Sequence, residues 1–198
     1  MGNFDRGFKS WAERQSISLR TNLSLKPHDP LSAFTLAKLL GVKLFKPQEI
    51  PGLDQTSLSQ LVQRDRSSWS AVTICLDKHN LVIYNSSHAE QRQSTDIMHE
   101  LSHIIIGHKP SRFFISPDPN VDFPIRDFDK KQEEEADWLS GCLLLPRTAL
   151  LHIQNTKQSV QDACHNYKVS EKLLNMRIAV TGIKFQIQRL QAMKSRSK

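Results

Sequence analysis

The stretch MHELSHIIIGH, from Met98 to His108, sets two histidines four residues apart with a glutamate directly after the first. On an α-helix His99 and His103 stand one turn apart on a shared face, about 6 Å apart along the axis. That spacing lets two imidazoles meet one metal ion. Glu100 falls roughly 100° round the helix from His99, near enough to reach a water on that ion without being a ligand. Two ligands plus a general base is the arrangement expected of a zinc hydrolase, with Glu100 as the catalytic residue. The other faces carry Ile97, Met98, Leu101, Ile104, Ile105 and Ile106, so the helix has almost no polar side and is expected to be buried. Two histidines and a glutamate buried without partners would cost several kcal/mol, and one Zn²⁺ ion would satisfy all three. The helix is placed at 96–106, with Gly107 ending it. Asp96 is expected to cap its start, with orientation of a ligand as the alternative. His108 lies past Gly107 and off the ligand face, where a capping or surface role is expected.

A third ligand must come from elsewhere. The extended motif that adds a third histidine needs glycine at position 106 and histidine at 109, which here hold Ile106 and Lys109. The segment KQEEEADWLSGCLLLP, Lys131 to Pro146, supplies a carboxylate instead. On a helical wheel Trp138, Leu139 and Cys142 centre an apolar stripe, widened by Leu143 and Leu145. Glu135 falls within that stripe, one turn before Trp138 and Leu139, while Glu133, Glu134 and Asp137 point away. A charge at the head of a buried stripe calls for a partner, so Glu135 is expected as the third metal ligand. A first-turn glutamate facing the helix dipole is the plainer alternative. Two histidines and one glutamate leave a fourth position for water, whose pKa zinc lowers to about 7. Glu100 would take that water's proton as it attacks a carbonyl and pass it to the leaving amine.

Outward from these two helices the chain alternates helix and strand. Residues 4–24 read as a helix, and Asp29 with Pro30 is expected to open a second that runs to Gly41. VKLFKP reads as a short strand and SLSQLVQRD as a helix. SAVTICLD and LVIYN flank KHN as a hairpin. Residues 107–129 hold four prolines and no clean period, so an irregular segment is expected. A helix follows from Lys130 to Leu145, stopped by Pro146, and the chain from Ser159 is helical with turns near NYKVS and TGI. The pattern is α+β. Residues 1–150 are expected to form a metallopeptidase-type domain including the N-terminal helices, and 151–198 a C-terminal helical segment.

The bulk numbers fit an ordinary globular chain: 198 residues, 38% hydrophobic and 24% charged. Cys75, Cys142 and Cys164 are odd in number and widely spaced, which suits a reducing compartment and thiols packed as small apolar groups. MGNFDRGFKSWAERQ has no apolar signal core, and Arg6 stands where a myristoylation signal wants Ser or Thr. No apolar run approaches a membrane span, so a cytoplasmic protein with no membrane partner is expected. The net charge of +7 is uneven: +4 over residues 1–50, −1 over 51–98, −4 over 99–140 and +8 over 141–198.

With RQSTDIMHELSHIIIGH followed by EEEADWLSGCLLLP, the chain resembles the ImmA/IrrE family of zinc metallopeptidases. The resemblance rests on HExxH with a following Gly-His, on the helix from Glu135 to Pro146, and on a segment from Tyr167 to Arg177. It implies zinc on His99, His103 and Glu135, Glu100 as base, and a gluzincin-like, zincin-like core. In that core an active-site helix and small sheet are flanked by N- and C-terminal helices. It also implies an intracellular endopeptidase that cleaves a helix-turn-helix transcriptional repressor and so regulates gene expression. The strand LVIYN is read as an edge able to add a substrate strand. Tyr84, Asn85 and His88 are candidates to line the cleft, and Arg92 or His88 to steady an oxyanion. A second reading is a regulatory DNA- or protein-binding module, or a toxin component, in which proteolysis is secondary. Residues 159–178 resemble a helix-turn-helix, and Lys168, Lys172, Arg177 and Lys184 make them basic, so DNA contact is the expectation under that reading.

Overall fold

The computed structural model describes residues 4–64, 67–76, 79–109, 113–114, 125–126 and 129–196. In chain order the elements are α1 (Phe8–Asn22), α2 (Ala33–Leu39), β1 (Lys43–Phe45) and α3 (Gln55–Ser59), which continues as a wider π turn over Gln60–Arg64. Then come β2 (Ala71–Leu76), β3 (His79–Tyr84), α4 (Glu90–Ile106), and the short strands β4 (Phe113–Phe114) and β5 (Ile125–Arg126). α5 (Lys130–Leu144), α6 (Arg147–Asn155), α7 (Val160–Tyr167), α8 (Glu171–Thr181) and α9 (Ile183–Arg196) complete the chain. This is the expected α+β zincin-like plan.

The core forms where α4 lies between the sheet and α5. Ile97, Met98 and Leu101 on α4, and Leu139, Cys142 and Leu143 on α5, are wholly shielded from solvent. Each large apolar side chain so buried contributes roughly 1.5–3 kcal/mol. α1 packs on the far side of α5. Its Ser16 hydroxyl donates to the Cys142 carbonyl at 2.7 Å, and Arg20 donates to the Leu143 carbonyl at 2.7 Å. Those carbonyls lie in the last turn of α5, where no intrahelical donor reaches them, so α1 supplies the missing hydrogen bonds.

The sheet order is β1-β3-β2, with β1 parallel and β2 antiparallel to β3. LVIYN therefore occupies the centre and not an edge. β1 joins β3 on its free side and so leaves β2 at the rim; Val82 and Tyr84 of β3 are buried, whereas β2 leaves Ile74 and Cys75 exposed. Cys75 is accordingly not a core thiol, although Cys142 is.

Several boundaries move. α4 begins at Glu90, well upstream of 96, because Glu90, Gln91, Arg92 and Gln93 are strong helix formers that give no apolar signal. Asp96 thus lies inside the helix and does not cap it. Ser32, not Asp29, caps α2, its side chain accepting from Thr35 N. Asp29 instead accepts from Lys26 N at 2.8 Å and closes the preceding turn. The segment 107–129 holds a two-stranded ribbon, Phe113 opposite Arg126 and Phe114 opposite Ile125. Residues 110–112, 115–124 and 127–128 of that expectation lie outside the described residues, as do Asp77 and Lys78, while His79 and Asn80 of the expected KHN turn belong to β3, which pairs antiparallel with β2. Residues 151–198 share the main core: α6 spans position 150, and buried Arg177 of α8 donates to the Leu145 carbonyl at 3.1 Å and pairs with Glu13 of α1 at 2.7 Å.

Candidate metal centre

α4 and α5 run side by side, so one face of each looks into a shared crevice. His99 and His103 project from α4 as the spacing predicts, with their Nε2 atoms 3.0 Å apart. The carboxylate that joins them is Glu133. Its Oε2 lies 3.2 Å from His99 Nε2 and 3.7 Å from His103 Nε2. The three ligand atoms all lie within 4.8 Å of one another. Two imidazole nitrogens and a carboxylate oxygen converging this closely match the donor set zinc takes in hydrolases. The side chains are half-shielded, 22% exposed for His99 and Glu133 and 16% for His103, so the group sits at the rim of the core and stays open to solvent.

Asp137, one turn on from Glu133, meets the other nitrogen of His99, Nδ1 to Oδ1 at 2.9 Å. A carboxylate there keeps the proton on Nδ1 and turns the Nε2 lone pair toward the crevice. Burial disfavours charge on His99, but the hydrogen bond and charge of Asp137, with Glu100 and Glu133, outweigh it and raise the pKa above its usual value. Glu100 is buried beside this group, and Thr73 Oγ1 on β2 donates to its Oε2 at 2.5 Å.

Glu135 does not reach the histidine pair from α4. It is buried, as the stripe argument requires, but its Oε2 lies 3.2 Å from Nε2 of His108. Glu135 occupies the middle of the apolar stripe, where its partner is a buried imidazole. A site that must admit water and substrate sits at the stripe's margin, where Glu133 and Asp137 meet the histidines of α4. His108 is not a surface group: its side chain is 7% exposed and its Nδ1 lies 2.8 Å from His103 Nδ1. The signal for it was the Gly-His pair. Gly107 is left-handed (φ 81°), and His108 N donates to the His103 carbonyl at 3.0 Å while Gly107 N donates to that of Ile104 at 3.2 Å. These are the two bonds of a Schellman turn, which returns the residue after the glycine to the side of the residue five before it.

The candidate substrate residues lie along the β3–α4 connection. Tyr84 is buried with its ring edge-on to Phe34, and buried Asn85 donates to the Trp69 carbonyl at 3.1 Å. His88 meets Asp96 at 3.3 Å with its side chain 6% exposed. Burial raises the Asp96 pKa more than His88 and Arg92 lower it. Arg92 keeps an exposed side chain beside Asp96 and Ser70. In the C-terminal segment Lys168 pairs with Glu90, and Arg177 is buried against Glu13. No described helix is long and apolar enough to cross a membrane.

The model of a peptidase family described as IrrE N-terminal-like domain matches residues 37–179, more than two thirds of the chain. That match takes in both α4 and α5. No curated protein matches the chain.

Proposed function

The chain belongs to the peptidase family described as IrrE N-terminal-like domain, and from that premise we propose that it is a zinc-dependent endopeptidase acting on a protein partner. The observation that carries this reading is the convergence of His99 Nε2, His103 Nε2 and Glu133 Oε2 beside the buried carboxylate of Glu100. Those three side chains would hold the ion. Bound there, zinc would polarise the scissile carbonyl and make a water acidic enough to ionise near neutral pH. Glu100 accepts the proton of the attacking water and returns it to the departing amine, so the C–N bond breaks with no net proton change. Thr73 fixes the orientation of that carboxylate from the neighbouring strand.

β2 is the sheet edge beside Glu100, and an extended peptide would add to it by main-chain hydrogen bonds. The family resemblance supports a helix-turn-helix transcriptional repressor as the substrate and an intracellular setting for its cleavage. DNA contact through residues 151–198 is the second reading. Capped α7 and α8, separated by the left-handed Lys168, favour it, while the burial of Arg177 removes one of its four basic residues.

The test is Glu100→Gln measured beside wild type for zinc content and for cleavage of a co-incubated repressor, with fragments mapped by mass. Retained zinc with abolished cleavage is expected. Full activity in the variant, or a wild-type chain that takes up no zinc, would sink the reading.

A further inference from the structure

Glu135 and His108 form a buried pair that the reaction outlined above does not use. Their side chains are 11% and 7% exposed, and the pair ends on the nitrogen of His103 that faces away from Glu133. We propose that Glu135 and His108 are positioning residues that fix the proton of His103 on Nδ1 and so present its Nε2 lone pair as a metal ligand. This inference rests on the zinc reading.

With both imidazoles neutral, the chain of contacts leaves one consistent arrangement. Glu135 Oε2 lies 3.2 Å from His108 Nε2, so the His108 proton belongs on Nε2, where the carboxylate accepts it. The opposite tautomer would set a lone pair against a carboxylate. With Nε2 protonated, His108 Nδ1 is an acceptor, and it lies 2.8 Å from His103 Nδ1. The proton in that contact must therefore come from His103 Nδ1. His103 Nε2 then carries a lone pair, toward His99 Nε2 at 3.0 Å. The rings of His103 and His108 stand 4.9 Å apart at 65°, an edge-on geometry that points nitrogen at nitrogen without stacking. The second oxygen of Glu135 faces Lys131 Nζ at 3.9 Å, and Lys131 is itself held by Asp5 at 2.9 Å. The carboxylate is thus anchored from its solvent side as well.

The two ligand histidines are treated alike by different means. Asp137 holds His99 directly. Glu135 holds His103 through a second imidazole, which the Schellman turn brings between them. Partners of this kind around a metal are each worth about 10- to 100-fold in affinity.

Zinc affinity by chelator competition, on wild type, Glu135→Gln, His108→Phe and the double variant, tests the proposal. Each single variant should bind zinc about 10- to 100-fold more weakly, and the double variant no more weakly than His108→Phe, since both remove one linear chain. Ring nitrogen shifts of zinc-loaded wild type should show His103 protonated at Nδ1 with its Nε2 on the metal. That measurement holds even if a variant fails to fold. Unchanged affinity in both single variants, fully additive losses, or a zinc-loaded His103 that carries no proton on Nδ1 overturns the proposal while leaving the zinc reading intact. A wild-type chain that binds no zinc overturns both.

Discussion

The hydroxyl of Thr73 donates to Oε2 of Glu100 at 2.5 Å, joining the edge strand β2 to the active-site helix α4. The strand on which a peptide would lie therefore also holds the group expected to move its proton. Thr73→Val keeps shape and removes the donor. Activity should fall about tenfold, the worth of one hydrogen bond to a charged group at roughly 1.5 kcal/mol. Zinc content should not change. Loss of zinc together with activity would show that Thr73 supports the metal and not the base.

Glu133 and Glu135 are two residues apart and face different partners. Glu133→Ala should abolish stoichiometric zinc uptake, measured on dialysed protein. Glu135→Gln should leave a site that still fills at excess zinc. The reverse ranking would return the third-ligand role to Glu135.

Arg177 is 1% exposed and shares its guanidinium between Glu13 and the Leu145 carbonyl. Glu13→Ala leaves that charge buried and uncompensated, which typically costs about 3–5 kcal/mol. Urea unfolding should show a drop of that order. A change below about 1 kcal/mol would mean that water replaces the carboxylate, as it does at exposed ion pairs.

Asp129 caps α5, the helix that carries Glu133, accepting from Lys131 N at 2.9 Å and Gln132 N at 3.3 Å. The backbone and side-chain hydrogen bonds of Gln132 hold its carboxyl below the ordinary carboxylate range. Folding therefore opposes its protonation. The resulting stability is fully present above the ordinary carboxylate pKa and is lost as pH falls through the lowered value. Asp129→Asn keeps a capping oxygen without the charge. The difference in Tm between wild type and variant should shrink across that acid window and vanish below it. A difference that persists unchanged at low pH would refute the assignment.

HExxH fixed the two histidines and Glu100 on one helix, and the isoleucine-rich pattern placed that helix in the core. α5 was also legible from its apolar stripe and Pro146. The identity of the carboxylate facing the histidines was not, because a wheel reports which side of a helix is buried and says nothing of which neighbour it meets. Glu133 lies at the border of buried and open surface, where a period-based reading gives no preference. His108 escapes a helical reading for a different reason: it follows Gly107, which ends the helix and turns the chain back toward His103. The exchange of β2 and β3 between edge and centre turns on which of them β1 joins, a pairing between distant segments that neither strand's own pattern reports.

Gly107 is where a right-handed chain takes one left-handed step. A side chain there would meet nothing within 4 Å, so handedness, not space, is the constraint. Had α4 continued, His108 would stand about 140° round the axis from His103. Where the helix stops is thus a specification of the chemistry, on the same footing as the residues it carries. A substitution that lengthened α4 would improve local order while separating His108 from His103. At this one position, selection for a steadier helix and selection for a working site pull in opposite directions.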